Sequence, residues 1–92
     1  MKAHELLSTP DKWCQKHFAE TSGGWISSPN HPAATKFCIL GAVQRCYPDP
    51  KTRMEKEKQI RDKLERVSIS TWNDYECRTH EEVYSLLKEL DI

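Results

Sequence analysis

Thr79 followed three residues later by Glu82, directly ahead of a run of regularly spaced apolar residues, constrains this chain more than any other feature. A threonine hydroxyl accepts the third amide of a helix while the glutamate reaches back to the threonine's own amide, so this pair marks where a helix must begin. Val83, Leu86, Leu87 and Leu90 then fall on one face, and we expect a terminal helix from His80 to Leu90. Just before it, Trp72-Asn73-Asp74-Tyr75 sets a buried-type aromatic in a polar turn.

Earlier start and stop signals suggest three more helices. Ser8-Thr9-Pro10-Asp11 offers a cap, a proline for the first helical position and an acid for the dipole. From it we expect a helix to about Thr21, with Trp13 and Phe18 near one face and Ser22-Gly23-Gly24 as its stop. Trp25 to Pro32 reads as a loop, followed by a second helix from Ala33 to Tyr47. The middle of that helix, Phe37 to Val43, is apolar on every side, which suits a central element. Gly41 inside it costs about 1 kcal/mol relative to alanine, so another backbone or a bulky ring should press there. The ring of Trp72 is the expected neighbour. Tyr47-Pro48-Asp49-Pro50 ends this helix. Lys51 to Val67 forms a charged third helix whose thin stripe is Met54, Ile60, Leu64 and Val67, and Ser68 to Thr71 reads as an extended connection. The expected architecture is all-α, a single domain over residues 1–92 made of four principal helices around a central apolar one.

Bulk properties narrow the function. The chain has 92 residues, enough for one hydrophobic core. Fourteen basic residues balance fourteen acidic ones, so no net field draws it to nucleic acid or an anionic membrane. No apolar run reaches the length of a membrane span, and the first residues lack the apolar core of a signal peptide. We therefore expect a cytoplasmic protein whose four cysteines are free thiols or metal ligands.

Three constellations could carry chemistry. Cys14-Gln15-Lys16-His17 and Cys77-Arg78-Thr79-His80 are two Cys-x-x-His pairs, and Cys14, His17, Cys77 and His80 together would supply a tetrahedral zinc site. Their wide separation is unlike a compact zinc finger. Cys38 could act as a nucleophile with His80 as base and Asp74 or Asn73 orienting the imidazole, although an apolar helical run is a poor setting for a reactive thiol. Seven basic residues between Lys51 and Arg66 could meet nucleic acid, but they share the segment with Glu55, Glu57, Asp62 and Glu65 and have no interleaved aromatic. A solvated helix face explains them better.

Phe37-Cys38-Ile39-Leu40-Gly41-Ala42, with Trp72-Asn73-Asp74 and Arg78-Thr79-His80-Glu81-Glu82-Val83 later in the chain, resembles an uncharacterised family of small bacterial and phage domains. Its pattern is aromatic-Cys-x-x-Gly-Ala, then Trp-Asn-Asp, then Arg-Thr-x-x-Glu-Val before a leucine-rich helix. The resemblance implies that Cys38, Gly41, Trp72, Asn73, Asp74, Arg78 and Thr79 form one spatial cluster, in which we expect Trp72 to fill the gap over Gly41, Asn73 and Asp74 to tie the turn to the end of a neighbouring helix, and Arg78 to pair with Asp74. We expect a small non-enzymatic binding protein without cofactor, phage-borne, that contacts a protein partner such as a host factor. Its expected contact residues are Trp25, Asn73, Asp74 and Arg78, and nothing in the sequence fixes an oligomeric state. The alternatives are a structural-zinc helical domain that binds nucleic acid and a small cysteine-dependent hydrolase.

Overall fold

Pro10 fixes its own φ and has no amide hydrogen to lose, so it can open a helical turn. In the computed structural model, which describes residues 1–92, the chain does turn once here, as a 3-10 turn over Pro10–Lys12 that follows Thr9. It goes no further, because the backbone is taken up elsewhere. Trp13 bridges Phe37 in parallel, and the Cys14 amide donates to the Phe37 carbonyl at 3.1 Å. The helix expected to reach Thr21 is therefore absent. Its second half is a strand, β1 (Ala19–Thr21), and the serine and glycines expected to stop a helix instead form a hairpin turn into β2 (Ile26–Ser27). Gly24 takes φ +83° in that turn, a conformation that suits a residue without a Cβ.

β1 pairs antiparallel with β2 through Ala19–Ser27 and Glu20–Ile26, and with β3 (Ala34–Phe37) through Ala19–Phe37 and Glu20–Lys36, with a shift in register beyond Glu20. The sheet order is β2-β1-β3, which leaves β2 with a free outer edge. The all-α expectation is thus overturned: five helices accompany a three-stranded antiparallel sheet, and the fold is mixed. The helix expected from Ala33 is split in two. Its first residues are β3, and only Ile39–Cys46, our α2, is helical. A continuous apolar run crosses the joint, and such a run has no period by which strand and buried helix can be separated.

The other helices are α1 (Ala3–Leu6), α3 (Pro50–Leu64), α4 (Ile69–Asp74) and α5 (His80–Glu89). The capping box of α5 is formed as the sequence requires, with the Glu82 amide donating to Thr79 Oγ1 at 3.2 Å and the Thr79 amide to Glu82 Oε1 at 3.0 Å. Ser68 caps α4 by accepting from the Thr71 amide at 3.1 Å, so the connection expected to be extended is a helix start. Asp49 caps α3, with Pro50 in its first turn. Of the stripe expected on α3, only Ile60 is buried, and Met54 is 62% exposed.

One core joins sheet and helices. Leu7, Phe37, Ile39, Val43, Ile60 and Leu87 belong to it, and each such side chain contributes about 1.5–3 kcal/mol when fully buried. Ile92 lies in it too: its carbonyl accepts from the Ala3 amide and the Tyr47 hydroxyl, each at 2.6 Å, and Lys2 forms an ion pair with Asp91. No helix is long and apolar enough to cross a membrane.

Candidate functional site

The parallel pairing that begins at Trp13 and Phe37 would continue with the Ile39 amide donating to the Cys14 carbonyl, but α2 starts there and the two segments part. The carboxamide of Asn73, at the end of α4, fills the gap. Its Oδ1 accepts from the Ile39 amide at 3.1 Å and from Trp13 Nε1 at 2.9 Å. Its Nδ2 donates to the Cys14 carbonyl at 3.2 Å and to Asp74 Oδ1 at 2.9 Å. The side chain therefore acts as an inserted peptide group, and every donor and acceptor position it has is used. At 1% exposed it has nothing left for a partner. Gln15 Nε2 donates to the carbonyls of Asn73 and Tyr75 at 3.0 and 2.9 Å, and the Lys16 amide to Asp74 Oδ1 at 2.8 Å, so residues 13–16 are laced along the end of α4.

Gly41 lies one turn into α2, and a backbone does press on it, as its cost in a helix suggests. The neighbour is the Phe18 carbonyl rather than the Trp72 ring. A Cβ at Gly41 would fall on the Phe18 oxygen and 2.9 Å from its carbonyl carbon. Phe18 can sit so close because its carbonyl accepts from the Cys38 amide at 3.2 Å. Trp72 is instead stacked under Arg78, whose Cζ lies 3.7 Å from the ring centroid. Arg78 Nε donates to the Trp72 carbonyl at 2.8 Å and Nη1 to Glu82 at 2.9 Å. The pairing of Arg78 with Asp74 is not made.

Cys38 caps α2. Its sulfur accepts from the Gly41 amide at 3.3 Å, and burial, working against those helix amides, pushes its thiol above the ordinary range. Cys14 is pushed up to about 12, chiefly by burial, with the Glu20 carboxylate adding to the shift. Both are settings for inert thiols. His80, the base expected for Cys38, points elsewhere, with Nε2 2.6 Å from the Leu7 carbonyl and its ring stacked on Tyr84. His17 is the histidine that shares a cleft with Cys38. This cleft, ≈ 100 Å³ in volume, is walled by Phe18, Leu40 and Ile69 and rimmed by Lys16, His17, Ser70 and Asp74. Lys16 enters it from φ +73°, the left-handed region that side-chain-bearing residues rarely adopt.

The four residues expected to hold zinc do not converge on one point. Cys14 is buried with its sulfur toward the His17 carbonyl at 3.5 Å, His17 stands 4.0 Å from Glu20, Cys77 is exposed, and His80 is held at Leu7. No group of three or more His, Cys, Asp or Glu side chains is placed to hold a metal ion. The charges of α3 are partly paired among themselves, as in Lys58–Asp62 at 2.9 Å and Arg53–Glu57 at 3.8 Å.

Trp25 stands at the tip of the β1–β2 hairpin and is 76% exposed. Next to it Ile26 is 68% exposed, and Phe18 is 51% exposed on the same face of the sheet as Ile26 by strand alternation. The roles of Trp13, Gln15 and Lys16 escape sequence reasoning because their partners lie 58 to 60 residues away. The one local signal for this junction was Gly41.

No curated protein and no solved structure matches the chain. The family model described as Family of unknown function (DUF6197) matches residues 1–90, and the chain belongs to that family.

Proposed function

We propose that this chain is a small non-enzymatic binding protein that acts by contact with a protein partner through its β1–β2 hairpin. The observation that carries the reading is Trp25, whose indole is 76% exposed at the end of a sheet edge that nothing covers. An exposed tryptophan offers a large, rigid contact area, which is why tryptophans dominate the energetics of interfaces. Ile26 adds apolar surface, and the free edge of β2 can lend backbone donors and acceptors to an incoming segment. The resistant settings of Cys14 and Cys38 favour binding over thiol chemistry. In the cytoplasm of an infected cell, a host factor contacted by a phage-borne protein is the kind of partner we propose.

Trp25→Ala tests the assignment. The variant should keep its far-ultraviolet spectrum and its Tm, because the indole is outside the core, and should lose a partner captured by the parent chain. Arg78→Ala should retain that capture if folded, since Arg78 is engaged with Trp72 and Glu82. Undiminished capture by Trp25→Ala, or its unfolding, would count against the hairpin as the contact surface.

A further inference from the structure

The cleft at the head of α2 is not part of the hairpin surface apart from Phe18, which touches both. Its groups sort into two kinds. Phe18, Leu40 and Ile69 are apolar walls. Lys16, His17, Ser70 and Asp74 are polar and retain unused capacity: Lys16 makes no ion pair, the Ser70 hydroxyl makes no hydrogen bond within the chain, and only Oδ1 of Asp74 is occupied. Two of the first three helix amides at this end are already taken, Ile39 by Asn73 and Gly41 by Cys38, so a bare anion would meet only the Leu40 amide rather than a backbone cradle. What the rim offers is an ammonium and a hydroxyl as donors, an imidazole beside them, and one free carboxylate oxygen as acceptor.

That set suits a ligand that carries a carboxylate and an ammonium on one carbon. A volume of ≈ 100 Å³ is far below that of a drug-sized pocket, about 300–1,000 Å³. We infer that this cleft binds a free α-amino acid with a small side chain, its carboxylate toward Lys16 and Ser70 and its ammonium toward Asp74 Oδ2, with the side chain against Leu40 and Ile69. Lys16 supplies an independent observation. A lysine at φ +73° is held in a conformation that glycine would adopt without strain, and such outliers persist where the surroundings fix them, often at functional sites. Here the Lys16 amide is pinned to the same carboxylate that would receive the ligand's ammonium.

The test is a nuclear magnetic resonance titration of the amides of Leu40, Ser70 and Asp74 with alanine, and separately with acetate and with methylamine. Alanine should give saturable shifts at those amides, and the two half-ligands should bind at least about tenfold more weakly, since each forfeits one charge-assisted contact. Asp74→Asn keeps an oxygen for the Lys16 amide but removes the charge, and should weaken alanine at least about tenfold with Tm nearly unchanged. Lys16→Gly relieves the strained φ, so it should hold or raise Tm while weakening alanine. Acetate binding as tightly as alanine, an alanine titration that does not saturate, or an Asp74→Asn variant that titrates like the parent would each overturn the assignment.

Discussion

Asn73 ties two distant segments of chain, residues 13–14 and Ile39, to the end of α4 with a single side chain, whereas α3 extends over Pro50–Leu64 and buries only Ile60. The two regions rely on different physics. At the Asn73 junction, donors and acceptors sit where water cannot replace a missing partner, so each bond counts at its desolvation cost. Along α3, most polar groups face solvent, and its charge pairs compete with water and salt. The contrast teaches that the architecture is specified at a small polar knot, and that the longest helix is attached mainly through one apolar anchor.

Gly41→Ala should break the comparison most sharply. The added Cβ meets the Phe18 carbonyl, a backbone atom that cannot swing aside, so we expect a loss of more than about 4 kcal/mol, enough to abolish a cooperative transition in a marginally stable domain. Next in size is Asn73→Asp, which removes the donor to Cys14 and buries a charge beside Asp74. It should cost about 3–5 kcal/mol, with Asn73→Ala somewhat less severe, as read by urea denaturation. On the other side, Ile60→Ala should cost about 2–3 kcal/mol by cavity formation, and hydrogen exchange should show the loosening concentrated in α3.

Smaller effects sharpen the contrast. Asp49→Ala should lower Tm modestly by uncapping α3, and its effect should depend on pH. The Thr52 amide and hydroxyl hold the Asp49 carboxyl below its ordinary value of 3.8. A depressed folded pKa stabilises above the unfolded value, so the cap's contribution is whole above pH 3.8 and fades as the pH falls from there through the lower folded value. Thermal melts of parent and variant should therefore converge in acid. Lys58→Ala should change stability by no more than about 0.5 kcal/mol, because its partner Asp62 is equally exposed. A large effect from Lys58→Ala, or a negligible one from Asn73→Asp, would reverse our view of the two regions.

Legibility in the sequence followed the range of the forces involved. α5 was readable because Thr79 and Glu82 cap it within four residues, and α3 because its start and charge pattern are local. Thr9-Pro10-Asp11 carries real start signals, but a single 3-10 turn uses the same signals as a long helix, and what stops it is the pairing of Trp13 with the distant Phe37. Ala34 to Phe37 is buried only at its two ends, without the alternation that marks a strand, and the apolar residues that follow hid the boundary further. The pressure on Gly41 could be inferred from its cost in a helix, but not that a carbonyl from residue 18 applies it. Asn73 read both as a tie between its turn and a neighbouring helix and as a contact for a partner, but neither reading named the segments it holds. Its burial follows from contacts 34 to 60 residues away in sequence, which no local pattern encodes.

The meeting of Ala3, Tyr47 and Ile92 makes this fold a candidate for circular permutation. A short linker from residue 92 to residue 1 would leave the Ile92 carbonyl free to accept the same two bonds. Reopening the ring between Gly23 and Gly24 would release the hairpin strands while leaving the Asn73 knot intact. Such a rearranged chain would separate what the hairpin does from what the rest of the domain needs in order to stand.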